Sequence, residues 1–330
     1  MKLAVLGAGA WGTALAATWC AHHHVTLWGR NVGELEAMRV TRVNARYLPD
    51  CPLPDTLQIE SDMRATLTDA ELVVVAVPSG GLRTTLASLA RQTMLPPLVW
   101  VCKGFELGSR KLPHQLVAEC LPAQRETAVL SGPSFAQEVA HGYPTALTLA
   151  SQDNVLARQL AEALSSHRLR LYAHDDVIGV EIGGALKNVM AIAAGICDGL
   201  GLGHNARAAL ITRGLAEMTR LGVRLGGHFE TFMGLSGLGD LVLTTTGDLS
   251  RNRQVGLRLA RGQTLDAILA ELGHVAEGVT TAREVDALAG ELDVDMPICR
   301  TVNRVLFEGL PAAQAVDALL NRHIKQEFGS

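Results

Sequence analysis

A chain of 330 residues has room for about two domains. With 48% apolar and 19% charged side chains it can bury a sizeable core, which excludes global disorder. Lys and Arg number 29 against 33 Asp and Glu, and a formal net charge of −4 gives no general positive field for nucleic acid or an acidic membrane. Any anion must be held by local groups. The six cysteines show no CxxC spacing and sit in apolar segments, as small core residues of a reducing compartment do. Met1 leads straight into KLAVLG, without the basic and apolar regions of a signal peptide. The most apolar stretch, 185–197, is interrupted by Lys187 and Asn188, so no integral membrane segment is expected. A soluble, cytoplasmic protein is the expectation.

The first half alternates short apolar runs with helical stretches. Leu3–Leu6 is followed by glycines and an Ala-rich helix over 13–22; Val25–Trp28, Leu72–Val77, Leu98–Cys102 and Ala128–Leu130 follow as further strands. Runs apolar at every position predict strands buried on both faces, and helices between them predict a parallel sheet. Pro144–Ala150 alternates weakly and reads as a sheet-edge strand. From about Asp176 helical periodicity takes over, in Val177–Cys197, Ala206–Leu221, Asn252–Ala260, Leu265–Leu272, Thr281–Leu292 and Ile298–Phe307. Ser250, Thr264 and the box Thr281-Ala-Arg-Glu284 are start signals; Gly262, Gly273 and Gly290 sit where C-terminal caps are wanted. The fold class is therefore α/β, a mostly parallel sheet domain over 1–175 followed by an all-α domain over 176–330.

Gly7-Ala8-Gly9-Ala10-Trp11-Gly12 fits G-x-G-x-x-G between a buried strand and a helix. Gly7 permits a tight turn, Gly9 lets backbone approach a pyrophosphate, and Gly12 allows close helix–strand packing. The helix opening near Trp11 aims free N–H groups and its positive dipole end at the phosphates. This context identifies the first domain as Rossmann-type and dinucleotide-binding. After the second strand an NAD-strict protein places Asp or Glu on the ribose 2′-hydroxyl, but here the chain reads Trp28-Gly29-Arg30-Asn31. A cation at Arg30 suits a 2′-phosphate, so NADPH/NADP is expected to be accepted beside NADH/NAD. His22, His23 and His24 lie on a turn, diverge, and read as solvated; no metal site is expected.

Longer motifs carry a family resemblance. GAGAWGTALA at 7–16, CKGFE at 102–106, SGPSFAQEVA at 131–140, the run at 181–218 containing Lys187-Asn188, GLSGLGDLVLT at 234–244 and SRNR at 250–253 together resemble bacterial-type NAD(P)-dependent glycerol-3-phosphate dehydrogenase. The motifs occur in order over nearly the whole chain. The resemblance implies reversible reduction of dihydroxyacetone phosphate to sn-glycerol 3-phosphate, supplying phospholipid synthesis, and a homodimer. Carried over by position, it implies cofactor contacts at Ala10, Trp11, Arg30, Lys103, Ala136, Arg251, Val275 and Glu277. It implies substrate contacts at Lys103, Gly132, Ser134, Lys187, Asp240, Ser250, Arg251 and Asn252, with Lys187 as proton acceptor. Departures from the family pattern are Ala10 for a frequent Ser, Gly80-Gly81 for a His-containing stretch, and Thr245 for a frequent Cys.

The residues fit that chemistry. Hydride transfer to a ketone creates negative charge on oxygen, which a positioned acid must neutralise. Lys187, one of only five lysines, stands in a small, apolar helical stretch where burial would lower its pKa, and Lys103 would lower it further. Gly183 and Ala191, one turn either side, read as room for a planar ring. Ser250-Arg251-Asn252 opens a helix whose free N–H groups and Arg suit a phosphate dianion. Asp240, after a flexible GLSGLG loop, is assigned to orienting Lys187 or a substrate hydroxyl. With Lys103 and Arg251 on both the cofactor and the substrate, the site is expected between the domains. A dehydrogenase of β-hydroxyacids or phosphogluconate also uses an interdomain Lys, but SRN as a phosphate pocket argues against it. A nicotinamide-sensing module would need no acid at the nicotinamide end, so Lys187, Lys103 and Asp240 argue against that too.

Overall fold

In the first strand Leu3 and Val5 face one apolar cluster while Ala4 and Leu6 face another, and all four are buried. This two-sided burial explains why the strand is apolar at every position rather than at alternate ones. The computed structural model describes residues 1–92, 95–122, 126–273 and 276–321. Its strands are β1 (Lys2–Leu6), β2 (His24–Trp28), β3 (Val43–Asn44), β4 (Leu48–Pro52), β5 (Gln58–Glu60), β6 (Leu72–Val75), β7 (Leu98–Trp100), β8 (Thr127–Ser131), β9 (Thr145–Ala150) and β10 (Leu169–His174). Eight of them form one sheet in the order β10-β9-β8-β7-β6-β1-β2-β5, and β3 and β4 pair as a separate hairpin. Every neighbouring pair in the large sheet is parallel except β8 and β9. β1 sets the register, with Leu3 opposite both Val25 and Leu72. The chain passes from β1 to β2 on one side and later to β6 on the other, so a crevice opens beyond the carboxyl ends of β1 and β6.

Three details of the sheet half differ from the sequence expectation. Thr145–Ala150 is an interior strand, because β10 pairs outside it as the true edge. In β10 only Leu169 and Leu171 are buried while Arg170 and Tyr172 face solvent, the pattern of an edge with one wet face. The β3–β4 hairpin and β5 are too short and too polar to register as apolar runs.

The helical half is organised around the Val177–Gly199 helix, in which every residue from Gly179 to Cys197 is buried. It is long and apolar enough by composition to cross a membrane, yet here it is the core of a helical layer. Asp176 caps it, accepting from Gly179 N at 2.7 Å, and also accepts from His228 N at 2.8 Å and the Thr231 hydroxyl at 2.5 Å. Buried Glu181 ties the halves together: Trp100 Nε1 of β7 donates to it at 2.7 Å and His114 N at 2.9 Å. The GLSGLG segment is a π-helical turn, Leu235–Gly239, running into a helix at Asp240–Thr246, and is not a flexible loop. Ser250 and Thr264 cap their helices as expected. Thr281 does not: its helix spans Glu277–Glu291 and Thr281 is buried inside it. The start is fixed from outside, since Asn252 Oδ1 accepts from Gly278 N at 3.1 Å, a tertiary cap invisible to local sequence. Gly290 likewise lies within that helix, and the left-handed residue beyond its end is Asp293, at φ 54°.

Candidate active site

The glycine turn is shaped by contacts that leave no room for side chains. Gly7 has φ +128°, and a Cβ on it would lie 2.5 Å from Ala76 O at the end of β6. A Cβ on Gly12 would lie 2.0 Å from Gly7 O, so Gly12 serves packing and does not face the crevice. Gly9, by contrast, faces open space and is the N-cap of the Ala10–Trp19 helix with no side chain capping it. The first N–H groups of that helix are thus left for an anion, as a pyrophosphate site requires. Trp11 also lines this wall, and its indole N–H is buried with no partner among the described residues.

A cavity of about 990 Å³ runs past this turn. On the sheet side it is lined by Gly7, Gly9, Ala10, Trp11, Arg30, Lys103, Ser134 and Ala136. On the helical side Lys187, Asn188, Thr244, Ser250, Arg251, Asn252 and Glu277 complete it. The site therefore lies between the two halves, as the double assignment of Lys103 and Arg251 implies. Val275 lies outside the described residues.

Behind the wall sits a carboxylate that the cavity does not reach. Asp240 is wholly buried, with Lys187 Nζ donating to Oδ1 at 2.5 Å and Lys103 Nζ to Oδ2 at 2.8 Å. Lys103 also donates to Gly132 O at 3.2 Å, which places buried Gly132 against the ammonium cluster. Thr244 donates to Asp240 O at 2.6 Å. Two ammonium groups share one carboxylate, so the cluster keeps a net positive charge beside the cavity. Burial lowers the Lys187 pKa to about 8; Asp240 opposes that shift and Lys103 adds to it. Gly183 contributes differently from the expectation. A Cβ there would lie 2.2 Å from Ser236 O, so its smallness lets the π-helical turn press against the long helix and deliver Asp240 to Lys187. It makes no room for a ligand.

The helix Arg251–Ala260 begins at this cavity. Ser250 caps it through Arg253 N at 3.3 Å, and Arg251 is the exposed cation at its mouth. Asn252 accepts from Gly278 N and donates one N–H to Asn188 Oδ1 at 3.0 Å, and no partner is seen for its second N–H among the described residues. Arg253 is buried and holds Asp198 at 2.7 Å and Asp248 at 2.9 Å, fixing the turn before the helix. Burial raises the Glu277 pKa, against the pull of Ser79 N and of Arg251, Lys103 and Lys187. The wall also includes Glu34, Arg46 and Tyr47, none of them singled out from the sequence because the hairpin that brings two of them carries no motif. Asn188 had a signal, a polar residue next to Lys187 inside the apolar stretch 185–197.

Comparison with known proteins decides the family. The family model described as NAD-dependent glycerol-3-phosphate dehydrogenase N-terminus matches residues 2–157, and its C-terminal counterpart matches 176–317. The chain belongs to the NAD-dependent glycerol-3-phosphate dehydrogenases. A relative from Thiobacillus denitrificans, named glycerol-3-phosphate dehydrogenase [NAD(P)+], is 76% identical over 328 residues, covering 99% of this chain and all of that one. The crystal structure of the Coxiella burnetii glycerol-3-phosphate dehydrogenase superposes with a TM-score of 0.93 at 43% identity, covering 97% of this chain and 99% of that one. The Saccharomyces cerevisiae glycerol-3-phosphate dehydrogenase gives 0.81 at 26% identity over 96% and 98%. As a member of this family the protein is an oxidoreductase whose cofactor is of the NAD(P) class. The bare helix N-terminus at Gly9, which faces open space, fits a dinucleotide on the glycine-turn wall of this dehydrogenase.

Proposed function

We propose that the protein interconverts dihydroxyacetone phosphate and sn-glycerol 3-phosphate by hydride transfer, with Lys187 as general acid in reduction and general base in oxidation. The observation that carries this is the Lys187 ammonium, only 7% exposed yet on the wall of the cavity that the glycine turn borders, and held at 2.5 Å by Asp240. Bound nicotinamide supplies the hydride in reduction and accepts it in oxidation. The protein's part is the proton: as charge develops on the carbonyl oxygen, Lys187 Nζ donates one and becomes neutral, then recovers it from solvent. A pKa of about 8 leaves both forms accessible near neutral pH. Asp240 is the positioning residue for that ammonium. Lys103, on the same carboxylate, adds positive charge where the oxyanion forms.

The phosphate end is assigned to Arg251, the second Asn252 N–H and the helix opening at Ser250, with Ser134 on the facing wall. The cofactor is assigned to Gly7, Gly9, Ala10, Trp11, Arg30, Lys103, Ala136, Arg251, Val275 and Glu277. In this reading 1–175 is a nucleotide domain and 176–330 a substrate domain. A homodimer in the cytoplasm that supplies glycerol phosphate for phospholipid synthesis completes it. Following NADPH absorbance tests the reading: dihydroxyacetone phosphate should be reduced, and non-phosphorylated or carboxylated analogues should be poor substrates. Equal turnover of dihydroxyacetone would remove the phosphate pocket from the reading.

A further inference from the structure

Three residues separate β2 from the helix Val32–Thr41, and Asn31 caps that helix by accepting from Glu34 N at 3.2 Å. That places Glu34 in the first helical turn, on the cavity wall beside Arg30. The β3–β4 hairpin closes over the same end and carries Arg46 and Tyr47. The hairpin is anchored to the glycine turn itself. Asn44 is buried and donates to Ala8 O at 3.1 Å and to the Thr13 hydroxyl at 2.8 Å. Arg46 Nη1 pairs with Glu34 Oε1 at 2.6 Å, and its guanidinium lies 5.2 Å from the centre of the Tyr47 ring. Two cations and one carboxylate thus stand where the second strand of a dinucleotide fold normally meets the adenosine ribose.

We propose that the Glu34–Arg46 pair sets the choice between NAD(H) and NADP(H), resting on the cofactor assignment above. With a ribose 2′-hydroxyl the pair stays closed and Glu34 accepts a hydrogen bond from the hydroxyl. With a 2′-phosphate, Arg46 leaves Glu34 and joins Arg30 in holding the dianion. Both partners of the pair are substantially exposed, and an ion pair of that kind is worth little, so exchange of partner is easy. Arg30 alone predicts a preference for the phosphorylated cofactor; Glu34 opposes it by occupying the second arginine and by its own charge. The result is a pocket that accepts both.

Calorimetric titration of the cofactor-free protein with 2′,5′-ADP and 5′-AMP, which differ only in the 2′-phosphate, tests this. Glu34→Gln should tighten 2′,5′-ADP by about fivefold, and Arg46→Ala should weaken it by about tenfold, each moving 5′-AMP by less than about twofold. Both effects should shrink as salt is raised. In an Arg46→Ala background the gain from Glu34→Gln should fall to less than half. An unchanged ratio of the two affinities in either single variant overturns the proposal. So does an undiminished gain in the double variant, which would make Glu34 a repulsive charge acting without Arg46. Absence of binding of either fragment by the wild-type protein would overturn the cofactor assignment as well, whereas binding with unaltered ratios overturns only the role of this pair.

Discussion

The two ends of the cavity are built on opposite principles. At the dinucleotide end, the residues from Gly7 to Gly12 are contiguous, the donors are backbone N–H groups, and the charges at Arg30 and Arg46 are exposed with Glu34 half-buried between solvent and the wall. At the lysine end, Lys103 and Lys187 meet Asp240 across separations of 137 and 53 residues, and the carboxylate is wholly buried. Exposed charges are screened and replaceable, so they tune affinity by modest factors. Buried charges cannot be hydrated, so they set the pKa of the reacting group and the cost of removing any one of them is high.

The sharpest way to break this contrast is at Lys187. Lys187→Ala should lower kcat by about a hundredfold or more while fragment binding at the glycine turn is nearly unchanged. Retained turnover in single-turnover assays would take Lys187 out of the acid–base role. Asp240→Asn comes next. It removes the group that supports the charged form of Lys187, so the Lys187 pKa should fall further. In the wild type the protonated amine is lost as pH rises through about 8, so reduction should slow above that pH and oxidation should gain. In the variant both limbs should move to lower pH. Rate profiles in the two directions check the sign, and a profile that stays in place would detach Asp240 from Lys187.

At the phosphate end the expected effects are smaller. Arg251→Ala should raise the KM for the phosphorylated substrate by about tenfold to a hundredfold, with a lesser change in kcat, because a charge-assisted contact is lost. An unchanged KM would contradict its assignment. Arg30→Asp should be the mildest, shifting the NADPH-to-NADH preference by about tenfold towards NADH. Titration of both cofactors measures it. If this exposed change proved as costly as the loss of Lys187, the contrast between the two ends would fail.

The local features were legible because their physics is local. Two-sided apolar runs marked β1, β2, β6, β7 and β8, the glycine spacing marked the turn, and Ser250 marked a helix start. A lysine amid small apolar residues marked the buried ammonium. What the chain order left open was every feature supplied by a distant partner. The helix at Glu277 is capped by Asn252, so the better local signal at Thr281 was overridden. Gly183 is small because another backbone presses on it, a contact made 53 residues further along. Arg46 reaches the cavity because Asn44 fastens a motif-free hairpin to Ala8 and Thr13. Sequence by itself determined which groups are available and what each segment prefers. Only packing decided which of them share a desolvated space, because desolvation and close approach depend on what the rest of the chain brings alongside.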